Sequence, residues 1–156
     1  MALRRDRRGA TLVEHALVLP LFLFLLLTVI EGAWQAATAF AVEHGARRAA
    51  RWVTLGSAPP AGSTAQQHVA RVVLESAGLR LDPSRLGVSA VAYGGHAAMA
   101  AGQGGRAGFG GPNDLVVLRV TYDSPLVTPL LRAGAPRPIL PLRTQVVVQN
   151  EPYPGP

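Results

Sequence analysis

The sequence predicts an α+β protein in which a long N-terminal transmembrane helix continues into a small domain with one short helix and a three- to four-stranded antiparallel sheet. Three observations predict this class. A run of fifteen uncharged residues, Ala16 to Ile30, lies near the N-terminus. Good helix formers then continue without a proline to about Leu55. Three valine-rich, strand-like runs follow in the C-terminal half.

The apolar run predicts a membrane span over residues of about 10–30. Counted from Ala10, the stretch has twenty-one residues, with Glu14 and His15 near one end, and about twenty residues of helix cross a bilayer. Because arginines precede it, the positive-inside rule places the N-terminus in the cytoplasm and the C-terminal domain on the far side. A secretory signal peptide is the alternative, since "AATAFA" at 36–41 offers small residues for cleavage.

The helix is expected to continue well beyond the span. Pro20 is the only proline between Ala10 and Leu55, and we expect a bend there because proline removes a backbone hydrogen bond. A glycine, Gly56, followed closely by a proline pair ends the helix. Some 46 residues at 1.5 Å each would give a rod of about 70 Å.

Small residues recur at every fourth position in the second half of this helix: Ala33, Ala37, Ala41, Gly45 and Ala49. Such a ladder lets another helix backbone approach closely, so these five are the predicted helix-packing residues. The abundance of alanine, or covering of the ladder by the protein's own domain, is the alternative explanation.

Residues 57–156 are predicted to form the small α+β domain outside the cytoplasm. Thr64 is the expected cap of a short helix over 65–79, and its apolar residues fall on one face at helical spacing. Strands are predicted over 86–93, 114–122 and 142–150. Alternate residues of the middle strand form a wholly apolar face, which a helix should cover: Val116, Leu118, Val120 and Tyr122.

The segment between the first two predicted strands, residues 94–113, contains eight glycines in twenty residues. Glycine costs more backbone entropy to order than any other residue. We therefore expect a long mobile loop that contributes nothing to the core. Its "GQGGRAG" motif does not predict a phosphate site, because a phosphate loop follows a strand and opens a helix.

Charge and residue chemistry exclude several functions. Four arginines and one aspartate give the first nine residues +3 of the net charge of +6, and no dense basic face with interleaved aromatics remains, so no nucleic acid is expected as a partner. The four histidines lie singly in four segments, there is no cysteine, and no nucleophile motif is present. We predict no metal site, no cofactor and no catalytic residue.

Glu14 is the residue that calls for a functional explanation. An ionised carboxylate at the centre of a membrane helix costs about 2.5 to 3.5 kcal/mol on insertion scales, so it indicates a function and a partner.

The stretch from Arg7 to Trp34, "RRGATLVEHALVLPLFLFLLLTVIEGAW", resembles the start of TadE-like proteins, the pseudopilin or minor pilin group of the tight adherence (Flp) type IV pilus system. The similarity extends through "HGARRAARW" to about residue 52 and is weak beyond it, where only the architecture and the "SPLVTPLL" link between the last two strands are similar. His15 departs from the family, which has an aromatic residue there.

The resemblance implies a function and a set of processing residues. Residues 1–9 would be a basic leader, removed after Gly9 by a prepilin peptidase, so that Ala10 becomes the first residue of a mature helix over 10–56. Glu14 would be the family's glutamate at the fifth mature position and the assembly residue. The expected partners are the prepilin peptidase, other pilin and minor pilin subunits, the inner-membrane assembly platform and membrane lipid.

The chemistry of Glu14 agrees with this expectation. Cleavage would create an ammonium group on Ala10, about 6 Å of helix from Glu14. The ammonium of one subunit and the carboxylate of a neighbour could then neutralise each other in a low dielectric. The expected location is the bacterial inner membrane, single-pass, with incorporation into a pilus. A plain membrane-anchored periplasmic domain, an anchored enzyme and an exported protein are the alternatives.

Overall fold

The structure, a computed structural model, describes residues 7–152. Its first element is one long helix, α1 (Arg7–Thr54), which is assigned as α-helix without interruption through Pro20. The predicted continuation of the span into an outer helix is therefore confirmed. Residues 1–6 of the expected leader lie outside the described residues.

The helix is followed by a small domain of short helices and four strands. Its elements are α2 (Ala65–Ser76), β1 (Leu86–Tyr93), α3 (His96–Ala100), β2 (Arg106–Ala107), β3 (Leu115–Pro125), α4 (Pro129–Gly134) and β4 (Ile139–Gln149). The four strands form one antiparallel sheet in the order β2-β1-β3-β4. The predicted α+β class is confirmed, and all three predicted strands are present.

Helix α2 begins as the sequence predicts. The side chain of Thr64 accepts a hydrogen bond from the N–H of Gln67, and the Gln67 side chain accepts one from the N–H of Thr64. This capping box satisfies two of the N–H groups that a helix start leaves without partners. The helix then buries Val69 and Val73 completely.

The core lies between one face of the sheet and two helices. The predicted apolar face of β3 is buried, with Val116, Leu118 and Val120 fully inaccessible. The second half of α1 and helix α2 cover this face, and the core includes Val42 and Val53 of α1. The expectation of a helix-covered apolar face is confirmed.

The glycine-rich segment 94–113 differs from the expected featureless loop. It contains α3 and the edge strand β2, and its Phe109 packs against the core in an edge-to-face contact with Trp52, with ring centroids 6.3 Å apart. The side chain of Asn150 donates to the carbonyls of Phe109 and Gly111 at 2.9 Å. The prediction that this segment contributes nothing to the core is wrong, because an aromatic ring buries enough apolar area to offset the ordering of its neighbours.

Candidate functional site

Helix α1 divides into two halves with different surroundings. Every side chain from Thr11 to Leu26 is exposed, including the uncharged run from Ala16 to Leu26. From Glu31 onward one stripe of the helix is buried at helical spacing: Glu31, Gln35, Thr38, Val42, Ala46, Ala49 and Val53. The helix is long and apolar enough to cross a membrane, with a mean hydropathy of 2.4 in its most apolar window.

The predicted processing and assembly residues lie in the exposed half. Gly9 and Ala10 are in the first turns of α1, and a Cβ placed on Gly9 would meet no atom within 4 Å, so packing does not require glycine there. Glu14 is exposed, and no hydrogen bond or ion pair of its carboxylate is found within residues 7–152. The neighbouring His15 ring contacts the carbonyl oxygen of Thr11 through Nδ1 at 2.8 Å.

The small-residue ladder is shared between two environments. Ala41, Gly45 and Ala49 are buried, whereas Ala33 and Ala37 are exposed. At Gly45 the helix meets α2 so closely that an added Cβ would lie 2.6 Å from the backbone oxygen of Val73. Ala41, Gly45 and Ala49 therefore contact the protein's own domain. Ala33 and Ala37 are not covered by any part of the described chain. Their role in packing between subunits stays a prediction.

A buried carboxylate, which the sequence analysis did not single out, marks the boundary between the two halves of α1. Glu31 is 5% exposed. Its Oε2 accepts hydrogen bonds from the N–H of Thr128 and from the Thr128 hydroxyl, both at 2.7 Å. The N–H of Val127 lies 3.1 Å from Oε1 and 3.0 Å from Oε2. The start of α4 is thus held to α1 by one side chain, 97 residues away along the sequence.

Gln35 completes this contact one helical turn later. Its Nε2 donates to Glu31 Oε1 at 2.7 Å and to the carbonyl oxygen of Pro125 at 3.1 Å.

Glu31 follows the predicted span of residues 10–30. Burial alone would raise the pKa of its carboxyl, but the hydrogen bonds from Gln35, Thr128 and Val127 outweigh burial and lower the pKa from 4.5 to about 2. The carboxylate is therefore ionised and fully engaged within its own chain.

One sequence signal could have found this contact. Glu31, Gln35 and Thr38 continue the spacing of the core stripe toward the membrane, and polar side chains on a buried stripe require partners. The partner segment is part of "SPLVTPLL", the link between β3 and β4 that also resembles the family.

His15 and His44 lie on α1, His68 lies on α2 and His96 begins α3. Within residues 7–152, no three residues of the types His, Cys, Asp or Glu come together as a metal site would require. The ring of His68 packs against Trp52 at an interplanar angle of 51°, with ring centroids 4.7 Å apart.

The N-terminal helix is the part of the chain that matches a known family. Residues 9–51 match the family model described as TadE-like protein. This helix is similar to that of TadE-like proteins. The match begins at Gly9, includes both Glu14 and Glu31, and ends three residues before the end of α1. The resemblance found in the sequence is thereby confirmed over this part of the chain. No curated protein and no solved structure matches the chain.

The TadE-like match covers the helix and none of the sheet. A TadE-like segment in a helix able to cross a membrane fits a membrane protein associated with the tight adherence pilus. The TadE-like family consists of pilus-associated structural proteins, and the arrangement of the described residues gives no positive indication of catalysis.

Proposed function

We propose that the chain is a minor pilin or pseudopilin subunit of a tight adherence (Flp) type IV pilus or a related secretion apparatus. It is processed after Gly9 by a prepilin peptidase and assembled through its N-terminal helix. The observation that carries this proposal is the state of Glu14. The carboxylate lies in the apolar, exposed half of a TadE-like helix and has no partner within residues 7–152.

An unpaired carboxylate in a membrane helix requires a cation from another molecule. An ionised group in low dielectric is costly unless it is paired. Arg7 and Arg8 would leave with the leader, and the next arginines of the helix, Arg47 and Arg48, lie more than thirty residues after Glu14. The new ammonium on Ala10 of a processed neighbour would supply the missing charge. Because Ala10 and Glu14 lie about 6 Å apart along each helix, pairing the ammonium of one subunit with the carboxylate of the next would also fix an axial offset between the subunits.

The exposed glycine at the proposed cleavage position supports processing. Gly9 has room for a side chain, so its identity is not explained by the packing of the described chain. A peptidase subsite that approaches the backbone closely would explain it, since only glycine leaves the backbone uncovered. The expected partners are then the prepilin peptidase, other pilin subunits and an inner-membrane assembly platform, with the C-terminal domain on the periplasmic side.

The decisive experiment identifies the mature N-terminus by mass spectrometry, in cells with and without the prepilin peptidase. The expected result is a chain that begins at Ala10 only when the peptidase is present, and a Gly9→Leu variant that stays uncut but inserted in the membrane. An intact N-terminus in both strains would support a plain membrane-anchored domain. Loss of about 40 residues, consistent with a cleaved signal peptide, would indicate an exported protein.

A further inference from the structure

The connection between β3 and β4 carries exposed apolar side chains and lies beside the part of α1 that contains Phe24 and Glu31. We call residues 125–140 the foot. The foot contains α4, and four of its large apolar side chains are 40–53% exposed: Val127, Leu130, Ile139 and Leu140. Large exposed apolar side chains that cluster in one segment indicate a surface that another apolar phase covers.

The foot lies beside the part of α1 that is predicted to cross the membrane. Phe24 lines a groove together with residues of the foot: Leu126, Leu130, Leu131, Gly134 and Ala135. Phe24 precedes Ile30, the last residue of the predicted span, by six positions, which is about 9 Å along a helix. The groove is therefore continuous with the apolar half of α1, and its lower end lies at the depth of hydrocarbon rather than of water.

The backbone at the start of the foot is satisfied without water. The N–H of Leu126 donates to the carbonyl oxygen of Pro138 at 3.0 Å, and the next two N–H groups, of Val127 and Thr128, donate to Glu31. The Leu126 carbonyl accepts from Nε and Nη2 of Arg132 at 3.0 and 2.7 Å. Non-helical backbone at membrane depth is tolerated only where its polar groups have such partners.

Proline further reduces the number of donors that the foot exposes. Five of the thirteen prolines of the protein lie in this segment or directly after it: Pro125, Pro129, Pro136, Pro138 and Pro141. Each lacks a backbone N–H and so removes one group that would need a hydrogen-bond partner in lipid.

The charges of the foot are of one sign. Between Asp123 and Glu151 the sequence contains no acidic residue, while Arg132 and Arg137 lie within the foot. Both arginines are exposed. Arginine side chains that reach from apolar surface toward the headgroups suit the phosphates of a bilayer, and anionic lipids attract them further.

We propose that the foot is a second membrane contact. Its apolar side chains enter the leaflet on the domain side of the same bilayer that α1 crosses, and Arg132 and Arg137 meet the lipid phosphates at the boundary. Glu31 then has a specific task, because it satisfies the two N–H groups of the foot that water cannot reach. The inference rests on the membrane anchoring of α1 and is independent of processing and of pilus assembly.

The test measures the depth of single labelled positions in the full-length chain. The protein contains no cysteine, so Leu130→Cys, Leu25→Cys and Ala61→Cys each give one labelling site for an environment-sensitive fluorophore. Each variant is placed as one copy in nanodiscs of phosphatidylcholine and phosphatidylglycerol. Leu25 is the control within the span, and the exposed Ala61 is the control in water. Quenching is measured with nitroxide-labelled lipids and with dissolved iodide.

The expected result is that the Leu130 label is quenched by the lipid nitroxides to the same extent as the Leu25 label and is several-fold less sensitive to iodide than the Ala61 label. A Leu130 label that iodide quenches as strongly as Ala61, while Leu25 remains protected, overturns the foot contact but leaves the anchoring intact. Protection that appears only with two copies per disc also overturns it and assigns the groove to a second subunit. Leu140→Cys gives the same reading at an independent position if the first variant does not fold.

Discussion

Two carboxylates on the same helix, Glu14 and Glu31, have opposite surroundings. They are seventeen positions apart, which is about 25 Å of helix. Glu14 is exposed on an apolar segment and has no partner within the described residues, whereas Glu31 is buried and bound by Val127, Thr128 and Gln35. A carboxylate that its own chain satisfies holds the fold together. One that its own chain leaves unpaired in an apolar segment indicates another molecule.

The same division separates the upper and lower parts of the small-residue ladder. Gly45 lies against the backbone of Val73, while Ala37, eight positions nearer the apolar half of α1, is exposed. The comparison of the two halves of α1 can therefore be tested with matched pairs of substitutions. In each pair, one residue should affect the isolated protein and the other should affect its assembly.

The largest effect on stability is expected for Glu31→Ala. The substitution leaves the N–H groups of Val127 and Thr128 without an acceptor, and each such group costs about 1 to 3 kcal/mol, or about 2 to 6 kcal/mol together. Denaturant unfolding in detergent micelles, followed by the fluorescence of Trp34 and Trp52, measures the loss.

Glu43→Ala is the matched control, because Glu43 forms only an exposed ion pair with Arg47, worth about 0.3 to 0.5 kcal/mol. Equal unfolding midpoints for the two variants would show that the Glu31 contact does not stabilise the domain.

Glu14→Val should leave folding and membrane level unchanged, because the carboxylate contacts nothing in its own described chain. Association with partner subunits should be lost, since removal of one member of a buried ion pair costs about 3 to 5 kcal/mol. The measurement is crosslinking to pilus components in cells, with membrane abundance and N-terminal processing recorded in parallel. Leu17→Val, on the same exposed stretch, is the control. Normal crosslinking of a processed Glu14→Val protein would favour a plain membrane anchor.

Gly45→Leu and Ala37→Leu add the same side chain to the two parts of the ladder. At Gly45 the Cβ already meets backbone atoms of α2, so overpacking should destabilise the domain by about 1 to 3 kcal/mol. At Ala37 the added side chain points into an exposed region, and the unfolding midpoint should not change. If Ala37→Leu nevertheless weakens crosslinking between subunits, the lower ladder packs against a neighbour. A stable Gly45→Leu domain would contradict the close α1–α2 contact.

The smallest expected effect is the pH dependence that Glu31 contributes. Its folded-state pKa of about 2 lies below the ordinary value of 4.5, so the unfolded chain binds more protons and the contribution is complete above pH 4.5. It falls as the pH is lowered toward 2, and about 2 kcal/mol should be lost by pH 3. The measurement is the difference in unfolding free energy between wild type and Glu31→Gln at pH 7 and at pH 3.

The comparison with Glu31→Gln cancels the contribution of other acids. Hydrogen bonds from Ser84, and the guanidinium of Arg85, also lower the pKa of Asp82, but that effect is present in both proteins. A difference that does not shrink between pH 7 and pH 3 would mean that Glu31 is not held by charged hydrogen bonds.

Local patterns were sufficient to predict most elements of the fold. The continuation of α1, the Thr64 cap and strand β1 with its bounds follow from residues close together in sequence, because helix periodicity, capping and strand alternation are short-range properties. The position of Glu14 five residues after Gly9 is also local, and with it the TadE-like resemblance.

The tertiary structure decided the contacts between distant segments. Two partners of Glu31, Val127 and Thr128, lie 96 and 97 residues away, strand β2 pairs with β1, and Phe109 contacts Trp52 across the core. The spacing of Glu31 with Gln35 and Thr38 indicates a buried polar stripe, but it does not say which distant segment supplies the partners. The sequence by itself determined α1, α2 and the three long strands, and it predicts a partner for Glu14 in another molecule, whereas only the packing of the domain on α1 decided that Glu31 has partners in its own chain.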